Sequence, residues 1–238
     1  MADPAADPRP VRAIVLDFNG TLAQDDHLVA PLYVDTFASV GVPLTAEEYH
    51  RELGALPDRE VFDLALARAG LPAEEWRRDA LIRARVEGYL AAVASEQPID
   101  AAAIEFVEAA SERVALAIAS GAFRREIEFV LDAAGLTDRF GVVVSIDDVT
   151  HGKPHPEGFL RALAGLNEAL RPDPPIEPLE TVAVEDATGG ALAARAAGMR
   201  VAAIRGLGYD PASGYADVII ERLDTTALEA IMSIPRRT

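Results

Sequence analysis

A doubly wound parallel α/β fold (a Rossmann-like core) carrying an inserted α-helical domain is what the 238-residue sequence predicts. Short apolar, β-branched runs recur along most of the chain, and stretches with apolar residues at helical spacing separate them. Such alternation makes βαβ units, which close into a parallel sheet covered on both faces. Residues 23–97 break the rhythm, because they hold no strand pattern and are rich in Ala, Leu, Glu and Arg.

Residues 1–10 are acidic and proline-rich, without the basic start and apolar stretch of a signal peptide, and read as a disordered tail. The first strand covers residues 11–18. The periodicity then predicts helices over 31–40, 58–69 and 73–94, separated by Gly41-Val42-Pro43, Pro57 and Gly70-Leu71-Pro72. Pro98 marks the return to the sheet, so the core spans 11–22 and 98–238 and the helical cap 23–97. Further strands are expected at 114–119, 142–146, 181–184, 201–204 and 217–220. Helices are expected at 122–134, followed by Gly135, and at 156–170, with Pro156 in its first turn. Residues 167–180 hold four prolines and read as a surface connection.

Composition removes several function classes. Lys and Arg number 22 against 39 Asp and Glu, a net charge of −17, with no basic stripe to grip a phosphate backbone; no nucleic-acid partner is expected. The absence of cysteine excludes a disulfide framework, a Cys-ligated metal and a thiolate nucleophile. Four histidines supply no His-Glu-x-x-His helix. The longest nearly apolar run, residues 114–123, is about half the ~20 residues a membrane helix needs. A cytoplasmic, membrane-free protein is the expectation.

Parallel sheets bind ligands outside the carboxyl ends of their strands. There the sequence collects Asp17-Phe18-Asn19-Gly20-Thr21, Ser120-Gly121, Asp147-Asp148 leading to Gly152-Lys153-Pro154, and Glu185-Asp186. Carboxylates can hold a hard divalent cation, while a lysine, hydroxyls and backbone N–H groups can hold a phosphate. Neither a Gly-x-x-x-x-Gly-Lys-Ser/Thr phosphate loop nor a Gly-x-Ser-x-Gly elbow competes with this rim.

These stretches, with Gly152-Lys153-Pro154-His155-Pro156-Glu157 and Ala196-Ala197-Gly198-Met199, resemble the four successive motifs of the haloacid dehalogenase superfamily. The helical insert resembles the cap of its β-phosphoglucomutase and phosphoglycolate phosphatase branch. The resemblance implies a hydrolase acting on a small phosphorylated metabolite, with Asp17 as nucleophile forming an aspartyl-phosphate and Mg2+ as cofactor. The ion would be held by Asp17, the main-chain carbonyl of Asn19 and Asp186, with Glu185 in support. Phosphate would meet Asn19, Gly20, Thr21, Ser120, Gly121 and Lys153. In the cap, which would close over the substrate and select it, Arg59 would clamp a second anionic group. Asp148 would contact Lys153, and Asp147 shares that position.

One departure bears on the chemistry. The family's phosphatases carry a second Asp two residues after the nucleophile, and here that residue is Asn19. An amide cannot act as general acid or base. Three accounts stand side by side: a native enzyme whose proton comes from Asp25, Asp26 or His27 or whose leaving group needs none; an inactivating change; or deamidation of Asn19-Gly20 to Asp. The alternatives to an ester phosphatase are thus a phosphonate or other non-ester hydrolase, and a catalytically silent phosphate-binding regulatory protein.

Overall fold

The computed structural model describes residues 10–54, 56–205 and 214–235. Of the expected tail, only the exposed Pro10 lies within these; residues 1–9 lie outside them. In chain order, strand β1 (Ala13–Leu16) precedes helices α1 (Asp26–Ser39), α2 (Ala46–Glu48), α3 (Asp58–Arg68) and α4 (Glu75–Val93). Then follow α5 (Ala101–Ser111), β2 (Ala115–Ala119), α6 (Arg124–Ala133), β3 (Val142–Val144) and α7 (Glu157–Leu170). The chain continues through β4 (Thr181–Glu185), α8 (Thr188–Ala196), β5 (Arg200–Ile204), β6 (Val218–Ile220) and α9 (Thr225–Met232).

The strands form a six-stranded sheet in the order β3-β2-β1-β4-β5-β6, with every pairing parallel. The chain runs outward from β1 through β2 to β3 and then returns to lay β4 on the other side of β1. That reversal makes a switch point, where a crevice opens at the carboxyl ends of the strands. Every residue of β1, β4 and β5 is buried, the burial expected of a sheet covered on both faces. On one face Ala13, Val15, Ala117 and Ala183 share a core with Phe159 and Leu163 of α7 and Ala191 of α8. Small strand residues let these helices approach closely. Helices α5 and α9 pack on β2 and β6 and on each other.

The chain divides into two compact units, one running to Gln24 and resuming at Ile99, the other Asp25–Pro98. The second unit holds helices and no strand among its described residues and has its own core, in which Tyr33 stacks on Tyr49 with ring centroids 4.4 Å apart and on Phe62 at 5.7 Å.

Several boundaries differ from the sequence expectation for physical reasons. Helix α1 begins at Asp26, so Pro31 lies inside it. Burial of Ala30, Tyr33 and Phe37 along one face outweighs the missing N–H, which alone would favour a later start. A wide turn over Tyr49–Leu53 follows α2 and sets both of its end residues into the helical core. Helix α5 is started by Asp100, whose carboxylate accepts from the N–H of Ala103 at 2.8 Å. The expected strand 142–146 stops at Val144, because Ser145 caps a short turn over Ile146–Asp148. Helix α7 ends at Leu170, as its periodicity predicts, and a left-handed Arg171 follows, so the irregular stretch begins there and not at residue 167. The side chain of Asn167 then ties the proline-rich segment back, with both a donor and an acceptor bond to the backbone of Ile176. No helix among the described residues is long and apolar enough to cross a membrane.

Candidate active site

Register alone brings two acidic residues together. Leu16 of β1 pairs with Val184 of β4, so Asp17 and Glu185 lie one residue further along adjacent strands at the same level. The N–H of Asp17 bonds the carbonyl of Val184 at 3.0 Å, which holds that level past the end of β1. Beyond Asp17 the chain folds into a tight loop, where the carbonyl of Phe18 accepts from the N–H groups of Thr21, Leu22 and Ala23. Phe18 and Leu22 are fully buried and anchor it. Gly20 adopts φ +71° there, and a Cβ on it would run into the carboxylate of Asp186. Glycine is required at this position on both counts.

Lys153 arrives from the segment before α7. Its ammonium donates to Asp17 Oδ1 at 2.6 Å and lies 2.5 Å from Glu185 Oε1, with its Nζ 5.4 Å from the centre of the Phe159 ring. The Lys153–Pro154 peptide bond is cis. The segment is held by Glu157, the first residue of α7, which accepts from the N–H groups of Thr150 and His151 at 3.1 and 3.0 Å and is backed by Arg161. These backbone bonds, together with Arg161 and His151, pull the Glu157 carboxyl down to about 2. Ser120 follows β2; its hydroxyl oxygen accepts from the N–H of Ala122 at 3.2 Å and keeps its own proton to donate.

Burial by itself would lower the Lys153 ammonium, but the adjacent Asp17 and Glu185 outweigh it and hold the group charged well above its usual range. Glu185 is 1% exposed, and burial pushes its carboxyl well above the ordinary range despite Lys153, with Asp17 and Asp186 adding to the rise. Three carboxylates thus face one ammonium, and the set is short of positive charge. Asp17, Glu185 and Asp186 each present an oxygen, all within 4.8 Å of one another. An all-oxygen, electron-rich trio of this kind fits a hard divalent cation such as Mg2+.

The structure brings Asp17, Lys153, Glu185 and Asp186 together, with Asn19, Gly20 and Thr21 in the adjoining loop. It redirects others. The N–H groups of Gly20 and Thr21, expected to face phosphate, bond Ala23 and Phe18 inside the loop, and the Thr21 hydroxyl donates to Asp186 Oδ1 at 3.3 Å. Their effect is to set the Asp186 carboxylate. Asp148 does not reach Lys153; its Oδ2 takes Arg124 at 2.6 Å and both the N–H and hydroxyl of Ser145 at 2.7 Å. Asp147 accepts from the N–H of Arg124 at 3.0 Å. Both therefore tie the start of α6 to the end of β3. Gly121 is exposed after β2. Arg59 is exposed in the first turn of α3, in the helical unit. Of the candidate proton donors, Asp25 is fully buried and takes the hydroxyl of Tyr89 at 2.5 Å, Asp26 is exposed, and His27 pairs with Glu96 at 2.8 Å. The sequence reading missed the Glu185–Lys153 pair. Its available signal was Gly189-Gly190, since a Cβ on Gly190 would collide with the Glu185 carboxylate.

A carboxylate bridged by lysine to its neighbour, at the switch point of a parallel sheet, is the site of an α/β protein of the Rossmann-like class. The model of the haloacid dehalogenase-like hydrolases matches residues 11–198, and the chain belongs to that family. It is 29% identical to protein CbbY of Rhodobacter capsulatus over 94% of this chain and 99% of that one. It is also 29% identical to the phosphorylated carbohydrates phosphatase of Thermotoga maritima, over 79% of this chain and 82% of that protein. Among solved structures, CbbY from Rhodobacter sphaeroides in complex with xylulose-(1,5)bisphosphate superposes with a TM-score of 0.77 at 25% identity, covering 90% of this chain and 96% of that one.

Proposed function

We propose that this hydrolase is a Mg2+-dependent phosphatase of small phosphorylated sugars or sugar alcohols, acting in the cytoplasm through an aspartyl-phosphate on Asp17. The observation that carries this reading is the Asp17–Lys153–Glu185 contact at 2.5–2.6 Å beside Asp186. Relatives named phosphorylated carbohydrates phosphatase and hexitol phosphatase support the substrate class, and the absence of cysteine suits a reducing compartment.

Asp17 attacks phosphorus while the alcohol oxygen departs and takes a proton from solvent; water then attacks the aspartyl-phosphate, breaking its bond to Asp17, freeing phosphate and giving up its proton to solvent. Lys153 keeps Asp17 aimed and offsets the charge of the incoming phosphate. Ser120 donates its hydroxyl proton to a phosphate oxygen. Asp17, Asp186 and the carbonyl of Asn19 would hold Mg2+, which when bound screens the two anions and stabilises charge on the transferring group. Glu185, paired with Lys153, supports the set. Asn19 can hydrogen-bond the leaving oxygen but cannot protonate it, so turnover of these sugar phosphate esters is slow.

The test is an assay with Mg2+ against sugar phosphates and acyl phosphates. Asn19→Asp is expected to raise ester hydrolysis by about 10²- to 10⁴-fold. Asp17→Asn, checked by mass for deamidation, is expected to abolish turnover of every substrate. Ester hydrolysis unchanged in Asn19→Asp, or activity persisting in Asp17→Asn, would reject the reading.

A further inference from the structure

A second group of metal-ligating side chains lies apart from the carboxylate trio. His151, His155 and Glu157 each offer a ligand atom within 4.8 Å of the others. We propose that they form a separate site for a borderline divalent ion of the zinc class, built on the segment that carries Lys153.

Three features carry this. His151 Nδ1 lies 3.2 Å from Glu157 Oε2. Ligands bound about 2.0–2.1 Å from a tetrahedral ion stand roughly 3.3 Å apart, so this pair already spans one edge of such a shell. The carboxylate is also fixed in place. Its Oε1 is taken by Thr150 and Arg161, and Oε2 accepts from the N–H of His151 while its remaining lone pair faces His151 Nδ1, the contact an ion would bridge.

The two imidazoles are neighbours, with ring centroids 4.7 Å apart and planes 37° from parallel. Both residues are exposed, so rotation of His155 completes the set. At present His155 Nδ1 accepts the N–H of Glu157 at a long 3.3 Å. Binding exchanges that bond for one to the ion, and the amide at the exposed helix start turns to water. The fourth position is left to solvent. Two imidazoles and a carboxylate suit zinc, cobalt, nickel or copper, whereas magnesium prefers oxygen alone. The two sites therefore sort by ligand chemistry. His151 and His155 flank residues 152–154, so an ion between them would stiffen the backbone on both sides of Lys153.

The experiment is calorimetric titration of the full chain, free of any histidine tag, with Zn2+ in saturating Mg2+. One zinc per chain is expected, undisturbed by the magnesium. His151→Ala and His155→Ala should each weaken zinc binding about tenfold or more, and the double variant should lose it. His27→Ala serves as a control that leaves it unchanged. Melting curves without zinc establish that the variants fold, and Co2+ provides an independent readout through a visible absorption band that the double variant lacks. No zinc binding, zinc displaced by Mg2+, or undiminished zinc affinity in the double variant would overturn the proposal.

Discussion

Gly20 is the residue at which the two halves of the acidic site meet. Its φ of +71° strains any L side chain, and the Asp186 carboxylate fills the space a Cβ would need. Gly20→Ala should therefore destabilise the protein by about 1–3 kcal/mol, the range for forced overpacking. It should also weaken Mg2+ binding, because Asp186 is the group that must yield. Paired denaturant melts and Mg2+ titrations check this, and an alanine variant with wild-type affinity would refute the contact. At this scale the sequence was informative where chemistry is carried by residue type at a strand end. Asp17, Lys153, Glu185 and Asp186 were all legible. It was silent where chemistry depends on partner choice: Asp148 is equally acidic whether it faces Lys153 or Arg124, and only the turn begun by Ser145 decides for Arg124. Thr21 is a comparable case, since its hydroxyl suits a phosphate as well as the neighbouring carboxylate it bonds.

Helix α7 shows how an element can serve a site it does not enter. Its first residue, Glu157, gathers two backbone N–H groups of the preceding segment and so fixes the approach of Lys153. A carboxyl lowered to about 2 in the folded protein contributes stability that is fully present above the unfolded value near 4.3 and is lost as pH falls through about 2. Glu157→Gln should thus be less stable than wild type at neutral pH, with the gap closing between pH ~4.3 and ~2. Parallel melts across that range test it; a constant gap would mean that the charge is not what matters. Elements were legible where one periodicity dominated, as in the strands, whose ends moved by at most two residues. Boundaries failed where tertiary burial outvoted a local signal. Pro31 is a helix starter by its chemistry, but Tyr33 and Phe37 carry the helical core and draw the helix past it toward Asp26.

For the molecule as a whole, the excess of acidic groups makes cations a source of stability, by two routes that can be separated. A net charge of −17 repels itself, and added salt relieves that without choosing an ion. Mg2+ at the carboxylate trio would add a specific term, about 2.7 kcal/mol at a hundredfold excess over Kd. For a chain of this size that is a rise in Tm of about 5–10 °C. Glu185 supplies the pH signature. Because its folded carboxyl is raised, its contribution to stability is complete below pH ~4.3 and is lost as pH rises and the buried group ionises. Mg2+ held there would offset that loss, so its effect on Tm should grow from pH 5 to pH 8, should exceed that of NaCl at equal ionic strength, and should vanish in Asp186→Asn. An identical response to both salts would show only general screening.

The lysine bridge between β1 and β4 has a last consequence, concerning when order is established. Free carboxylate side chains at a strand end sample several rotamers, and a ligand that must immobilise them gives up about 0.5–1.5 kcal/mol for each. Lys153 immobilises Asp17 and Glu185 while the chain folds, long before substrate arrives. The entropy is lost once per protein molecule and not at each binding event, and the Asp17 carboxylate waits already aimed.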